Sequence, residues 1–168
     1  MNAKLAKEVL MKLKKAGFVS AVVHYDGSGD SGAVDEISVF RKDEPESYMH
    51  MIEEYSWEKV AVLRGERNAI LGAIPITLVS RSSTFDHETG AFVETEISTE
   101  GNLYEALETL AYDWLEDEHG GWETNDGAYG DLVVHVEEMM ITLEHSERIM
   151  DVSTSSHTFA CETAEGEE

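Results

Sequence analysis

The sequence predicts an α+β fold: an antiparallel sheet of about five to seven strands, built from hairpins plus a C-terminal meander, with two main helices packed on one face. Three observations lead there. Residues 3–16 and 102–119 carry apolar side chains at helical spacing and each run ends at glycine. Short runs rich in β-branched and aromatic residues are separated by Gly, Asp and Asn. At 168 residues the chain is long enough for one core, and the expected organisation is a single domain over residues 1–160 with a disordered acidic tail at 161–168.

Taken in order, Leu5, Ala6, Val9, Leu10 and Leu13 form one helical face, lysines occupy the other and the last turn, and Gly17 is the stop. Residues 18–25 are too short and too rich in Val and aromatics for another helix, so they read as a strand. Val34, Ile37, Val39 and Phe40 give a returning strand, which makes 18–41 a hairpin with a long acidic tip. Within 45–59, Met51, Ile52 and Tyr55 have helical spacing, and residues 60–63 either extend that helix or begin a strand. Residues 76–82 and 91–97 flank Asp86-His87-Glu88-Thr89-Gly90 and read as a second hairpin.

Asn102 caps the clearest helix, with Glu105 three residues later in a capping-box arrangement, and Leu103, Leu107, Leu110 and Trp114 on the apolar face. It must end by Gly120-Gly121. Residues 132–136, 141–144 and 152–159 read as a three-stranded meander. Helix, glycine stop, aromatic residue, Asp-Gly turn and strands thus occur twice, once over residues 3–40 and again over 103–143, a weak internal echo.

The charge is extreme: 35 acidic against 12 basic residues, net −23. Residues 1–17 hold five lysines and one glutamate, +4, which leaves −27 for the rest. Such a surface disfavours direct nucleic-acid binding, which depends on Lys and Arg displacing counterions from phosphates. It attracts basic partners instead. Adaptation to high salt is the competing explanation. One cysteine, Cys161, excludes an intramolecular disulfide and fits a reducing, cytoplasmic setting. No run approaches the ~20 apolar residues of a membrane helix, and the first residues lack a secretory apolar core. The oligomeric state is left open.

Two glycine-dense acidic segments stand out: Tyr25-Asp-Gly-Ser-Gly-Asp-Ser-Gly32 and Gly120-Gly-Trp-Glu-Thr-Asn-Asp-Gly-Ala-Tyr-Gly130. With Ile141-Thr-Leu-Glu-His-Ser-Glu-Arg148, they resemble a family of small uncharacterised proteins of bacteria, plasmids and phages. The resemblance covers residues 18–41 and 102–159 and carries no activity. It implies that the two turns belong to one site, and a mobile-element setting.

Two functions fit these residues. In the first, the chain is a non-enzymatic interaction protein whose acidic face occupies a basic, nucleic-acid-binding surface as a DNA-mimic-like inhibitor. Asp113, Glu116, Asp117, Glu118 and Glu123 are its candidate partner-binding residues, because carboxylates at a helix C-terminus oppose the macrodipole and call for a positive partner such as a metal, Arg148 or another protein. This reading needs no cofactor and names no catalytic residue. In the second, Asp26, Asp30, Asp126 and Asp131 hold a divalent cation such as calcium or magnesium, for structure or hydrolysis. His24 and His119 adjoin the two turns and are candidate ligands or general bases. The plain structural alternative is that the aspartates cap their own turn amides and that Trp122 is a core anchor. No zinc-protease motif, paired-cysteine motif, nucleophile elbow or phosphate-binding loop is present.

Overall fold

The computed structural model describes residues 2–42, 44, 51, 55–151 and 153–156. The fold is α+β, as the hydrophobic periodicity predicts, and its core comes from two helix–strand–strand units. In the first, α1 (Ala3–Lys15) leads into β1 (Ser20–Ser28) and β2 (Ser31–Phe40). In the second, α3 (Leu103–His119) leads into β5 (Ala128–His135) and β6 (Met140–Glu147). Between them lie α2 (Trp57–Gly72) and the hairpin β3 (Pro75–Asp86) and β4 (Ala91–Asn102).

The four strands of the two units make one antiparallel sheet in the order β2-β1-β5-β6, while among the described residues β3 and β4 pair only with each other. The six strands of the described residues are thus split between a sheet and a separate ribbon. The internal echo takes structural form here: the first strands of the two units, β1 and β5, pair at the centre from Ser20 opposite His135 to Gly27 opposite Ala128.

Strand alternation sends Ala21, Val23 and Tyr25 of β1, and Ala128, Leu132 and Val134 of β5, to one buried face. There α1 contributes Leu5, Val9 and Leu13, and α3 contributes Ala106, Leu107 and Leu110, to a common core. Each buried Leu or Val stabilises by about 1.5–3 kcal/mol, so packing of this face supplies most of what holds the two helices in place. Both helices start as predicted. Asn2 accepts from the Lys4 and Leu5 amides at 3.1 and 3.2 Å. Asn102 and Glu105 complete a reciprocal capping box at 3.1 and 3.0 Å.

Helix α2 is a third helix, over a stretch in which the sequence leaves residues 60–63 open between helix and strand and assigns no element to the residues that follow them up to 75. Its Val60 meets Phe40 and Met51, and its Leu71 enters the main core. The periodicity is hidden because a buried position is filled by Arg67. Its guanidinium donates to the Val39 carbonyl at 2.8 Å and to Glu44 at 2.6 Å. Most of residues 45–54, where a helix is predicted to begin, and the tail 161–168 lie outside the described residues.

The strands also run further than predicted. The hairpin 18–41 has no long tip: its ladder continues to Ser28 opposite Ser31, closed by Gly29 and Asp30 at φ 60° and 69°. Asp26 and Gly27 are therefore strand residues. A bulge leaves Asp35 unpaired, since His24 faces Glu36 while Tyr25 faces Val34. Likewise β5 begins at Ala128, earlier than expected, and includes Gly130 and Asp131. The third meander strand is not formed over 153–156, the stretch of it that is described along its own run. That stretch is Ser-Thr-Ser-Ser, with no alternating apolar side to bury. Among the described residues, no helix is long and apolar enough to cross a membrane.

Candidate functional site

The two glycine-dense segments meet. The Gly29 amide donates to the Asn125 carbonyl at 3.0 Å, and the Asp30 amide donates to the Glu123 carbonyl at 3.2 Å. Trp122 supplies the apolar part of the seam. Its ring lies against Gly27 and Gly32, where a Cβ at Gly27 would stand 2.7 Å from the indole, so glycine at both strand positions is a packing requirement. The ring is 7% exposed and stands edge-on to Tyr25 at 5.4 Å. Trp122 is a core anchor.

Arg148 fastens the same seam from the other side. Its guanidinium donates to the Gly27 carbonyl at 2.8 Å and pairs with Asp26, and it lies 4.9 Å from the centre of the Tyr129 ring. Its own amide donates to the Gly127 carbonyl at 2.9 Å. The sequence reading offers Arg148 as partner to the carboxylates ending α3; in the structure it serves Asp26.

The aspartates of the divalent-cation reading are distributed as follows. Asp26 is held by Arg148. Asp131, on the outward face of β5, accepts from His24 Nδ1 at 2.8 Å. Asp30 sits in the two-residue turn closing β1 and β2. Asp126 borders a cleft of about 470 Å³ at the end of α3. The turns are joined through backbone amides and carbonyls, while Asp26 and Asp131 have protein partners.

Of the five carboxylates of the partner-binding reading, Glu116, Asp117 and Glu118 are exposed and Asp113 is half-buried. Glu118 lines the 470 Å³ cleft. Glu123 differs from the others: it is half-buried beside Gly32, and its Oε2 is enclosed without a hydrogen-bond partner.

That cleft, walled by Gly120, Gly121, Trp122 and Thr124, holds the densest chemistry in the described residues. Strand β6 alternation places His145 and Glu147 on one side. His119, the last residue of α3, crosses above them. The His119 and His145 rings are stacked, centroids 3.7 Å apart and 11° from parallel, and His145 Nε2 lies 4.0 Å from Glu147 Oε1.

Beneath them Tyr25 donates its hydroxyl proton to the Glu144 carbonyl at 2.9 Å, and the same oxygen lies 2.8 Å from His145 Nδ1. A phenol has one proton. Having given it to Glu144, Tyr25 accepts from His145 Nδ1–H, which leaves the lone pair of the neutral imidazole on Nε2, toward the cleft. Burial and the neighbouring His119 hold His145 below the usual histidine pKa, against the opposing pull of Glu147. Burial, reinforced by Asp131, pushes the Tyr25 phenol up to about 12, so it stays protonated.

From sequence, His119 is a candidate because it adjoins a turn, whereas His145, Glu147 and Tyr25 appear only within motif segments and not as candidate site residues. The Glu144-His145-Ser146-Glu147 alternation was a readable signal that two polar groups share a strand face. Nothing in the sequence says that the end of α3 lies over that face.

No match was found among curated proteins or among solved structures. A protein-family model does match, over residues 1–74 and 56–159, and its description is a family of unknown function, DUF6878. With both helix–strand–strand units inside the matched residues, the chain belongs to the family of unknown function DUF6878.

Proposed function

We propose that this protein is a non-enzymatic interaction protein that uses its negative surface to occupy the basic surface of a nucleic-acid-binding protein, as a mimic of a phosphate array. The observation that carries the reading is the net charge of −23, with exposed Glu116, Asp117 and Glu118 gathered at the C-terminal end of α3. The free carbonyls there add about half a negative charge in the same place. Asp126 and Glu147 border the adjoining cleft and extend the negative field around it. A duplex presents one charge per ~1.7 Å of axis; a crowded helix end approximates a short part of that array. The +4 of residues 1–17 confines the attraction to the remaining surface.

The test is calorimetry of the untagged protein against purified basic DNA-binding proteins, at about 50 mM and about 0.5 M salt. Binding is expected at low salt, lost at high salt and weakened by Glu116→Gln with Glu118→Gln. The protein should also displace such a partner from duplex DNA. Absence of binding at low salt, or binding indifferent to salt and to both substitutions, overturns the reading.

A further inference from the structure

We infer that His119, His145 and Glu147 form a binding site for a divalent first-row transition metal of the zinc class, with Tyr25 as the residue that orients His145. The site is distinct from the four-aspartate arrangement weighed in the sequence, and it stands independently of the basic-partner reading.

The first support is convergence. One nitrogen of each imidazole and one carboxylate oxygen all lie within 4.8 Å of one another. Ligand atoms around a tetrahedral zinc with bonds of about 2.0–2.2 Å are roughly 3.3 Å apart, so side-chain rotation without movement of the backbone closes the set. Three protein ligands beside an open cleft leave a coordination position for water or a ligand. An open position of this kind sets the site apart from a closed, four-ligand structural one.

The second support is the hydrogen bonding behind the ligands. A histidine ligand needs its metal-facing nitrogen deprotonated and its other nitrogen anchored. Tyr25 meets both needs, since its hydroxyl is committed as donor to Glu144 O and its oxygen accepts a hydrogen bond from His145 Nδ1–H. The donor set decides the metal class. Two imidazoles with one carboxylate suit zinc, cobalt, iron or manganese, whereas calcium and magnesium require oxygen shells.

The stacked rings define what loading must do. A metal lies in the plane of each imidazole it binds, and two parallel rings 3.7 Å apart share no plane. One ring has to turn. His145 is 8% exposed at its side chain and held by Tyr25, while His119 ends its helix beside Gly120 and Gly121. Loading therefore swings His119 out of the stack over a fixed His145.

The experiment is titration of the untagged, full-length protein with Zn(II), and with Co(II) as a spectroscopic probe. One equivalent is expected to bind, with Co(II) giving the intense visible bands of a low-coordinate nitrogen and oxygen site. His119→Ala and His145→Ala should each weaken binding by about 100-fold or more and Glu147→Gln by about 10-fold or more, since losing a ligand costs at least what losing its hydrogen-bonded support does.

Tyr25→Phe should weaken binding by about 10-fold and, in the metal-free protein, release His145 into a mixture of tautomers visible in its ring nitrogen shifts. A Tyr25 that only packs would leave that tautomer unchanged. Glu116→Gln with Glu118→Gln should leave stoichiometry unaltered, which separates this test from that of the basic-partner reading. His119 ends a helix and carries none of the core, so His119→Ala remains informative if His145→Ala fails to fold. No saturable binding, or binding unaffected by His119→Ala, overturns the inference.

Discussion

Tyr25 and His145 touch across a strand to which neither belongs: the phenol of β1 passes over Gly130 of β5 and meets the imidazole of β6 at 2.8 Å. The crossing requires that Gly130 have no side chain. A Cβ there would stand 2.6 Å from the Tyr25 hydroxyl and overlap the Glu144 carbonyl outright.

Gly130→Ala is therefore expected to destabilise the fold by about 3 kcal/mol or more, because one obstruction is backbone and the other is the hydroxyl of buried Tyr25. Urea unfolding checks the loss, and the ring-nitrogen shifts of His145 in the surviving folded protein should show the Tyr25 contact broken. A variant as stable as the parent would contradict the packing.

Trp122→Ala empties the seam between the two glycine-dense segments. Loss of a buried indole costs about 3–5 kcal/mol, and here it also uncovers Gly27 and Gly32. Trp122→Phe should recover part of that loss. The midpoints of denaturant unfolding, compared at constant slope, give both numbers.

Arg148→Lys keeps the charge and loses the fork that spans Asp26 and the Gly27 carbonyl. The expected cost is about 1.5–3 kcal/mol, the range for hydrogen bonds to charged groups. Hydrogen exchange should locate it: the Gly29, Asp30 and Arg148 amides that close the seam exchange faster, while those of α1 do not.

Glu108 offers a test of pH dependence away from the cleft. Burial, and then Glu105 one turn away, raise its pKa above the ordinary value of 4.5. A carboxyl raised in the folded state favours folding at low pH and loses that advantage as pH rises through its folded pKa. Glu108→Gln should therefore be more stable than the parent at neutral pH, with the gain shrinking to nothing below about pH 4.5, the ordinary glutamate value. Thermal melts of both proteins from pH 3.5 to pH 7 would show the two curves converging on the acid side.

Much of the architecture is legible in local pattern. Leu5, Val9 and Leu13, or Leu103, Leu107 and Leu110, declare a buried helical stripe through their spacing alone, and Asn102 with Glu105 marks a helix start because both groups lie within four residues. Other positions mislead for equally physical reasons. Arg67 disguises a buried face of α2, because its charge is satisfied by Glu44 and Val39, both distant in sequence. Gly27 and Gly130 look like turns, yet they are strand positions where Trp122 and Tyr25 need the space.

By itself, the sequence determined the α+β class, the two core helices and the capping box of the second, the hairpins and the excess of negative charge, all of which follow from periodicity, propensity and composition. Tertiary structure decided which strands adjoin, that the two acidic segments share a backbone seam, and that His119 lies over His145 and Glu147. Those outcomes depend on contacts between residues more than twenty positions apart, chosen by the pairing of β1 with β5 and the packing of α3 on the resulting sheet. No local pattern encodes that choice.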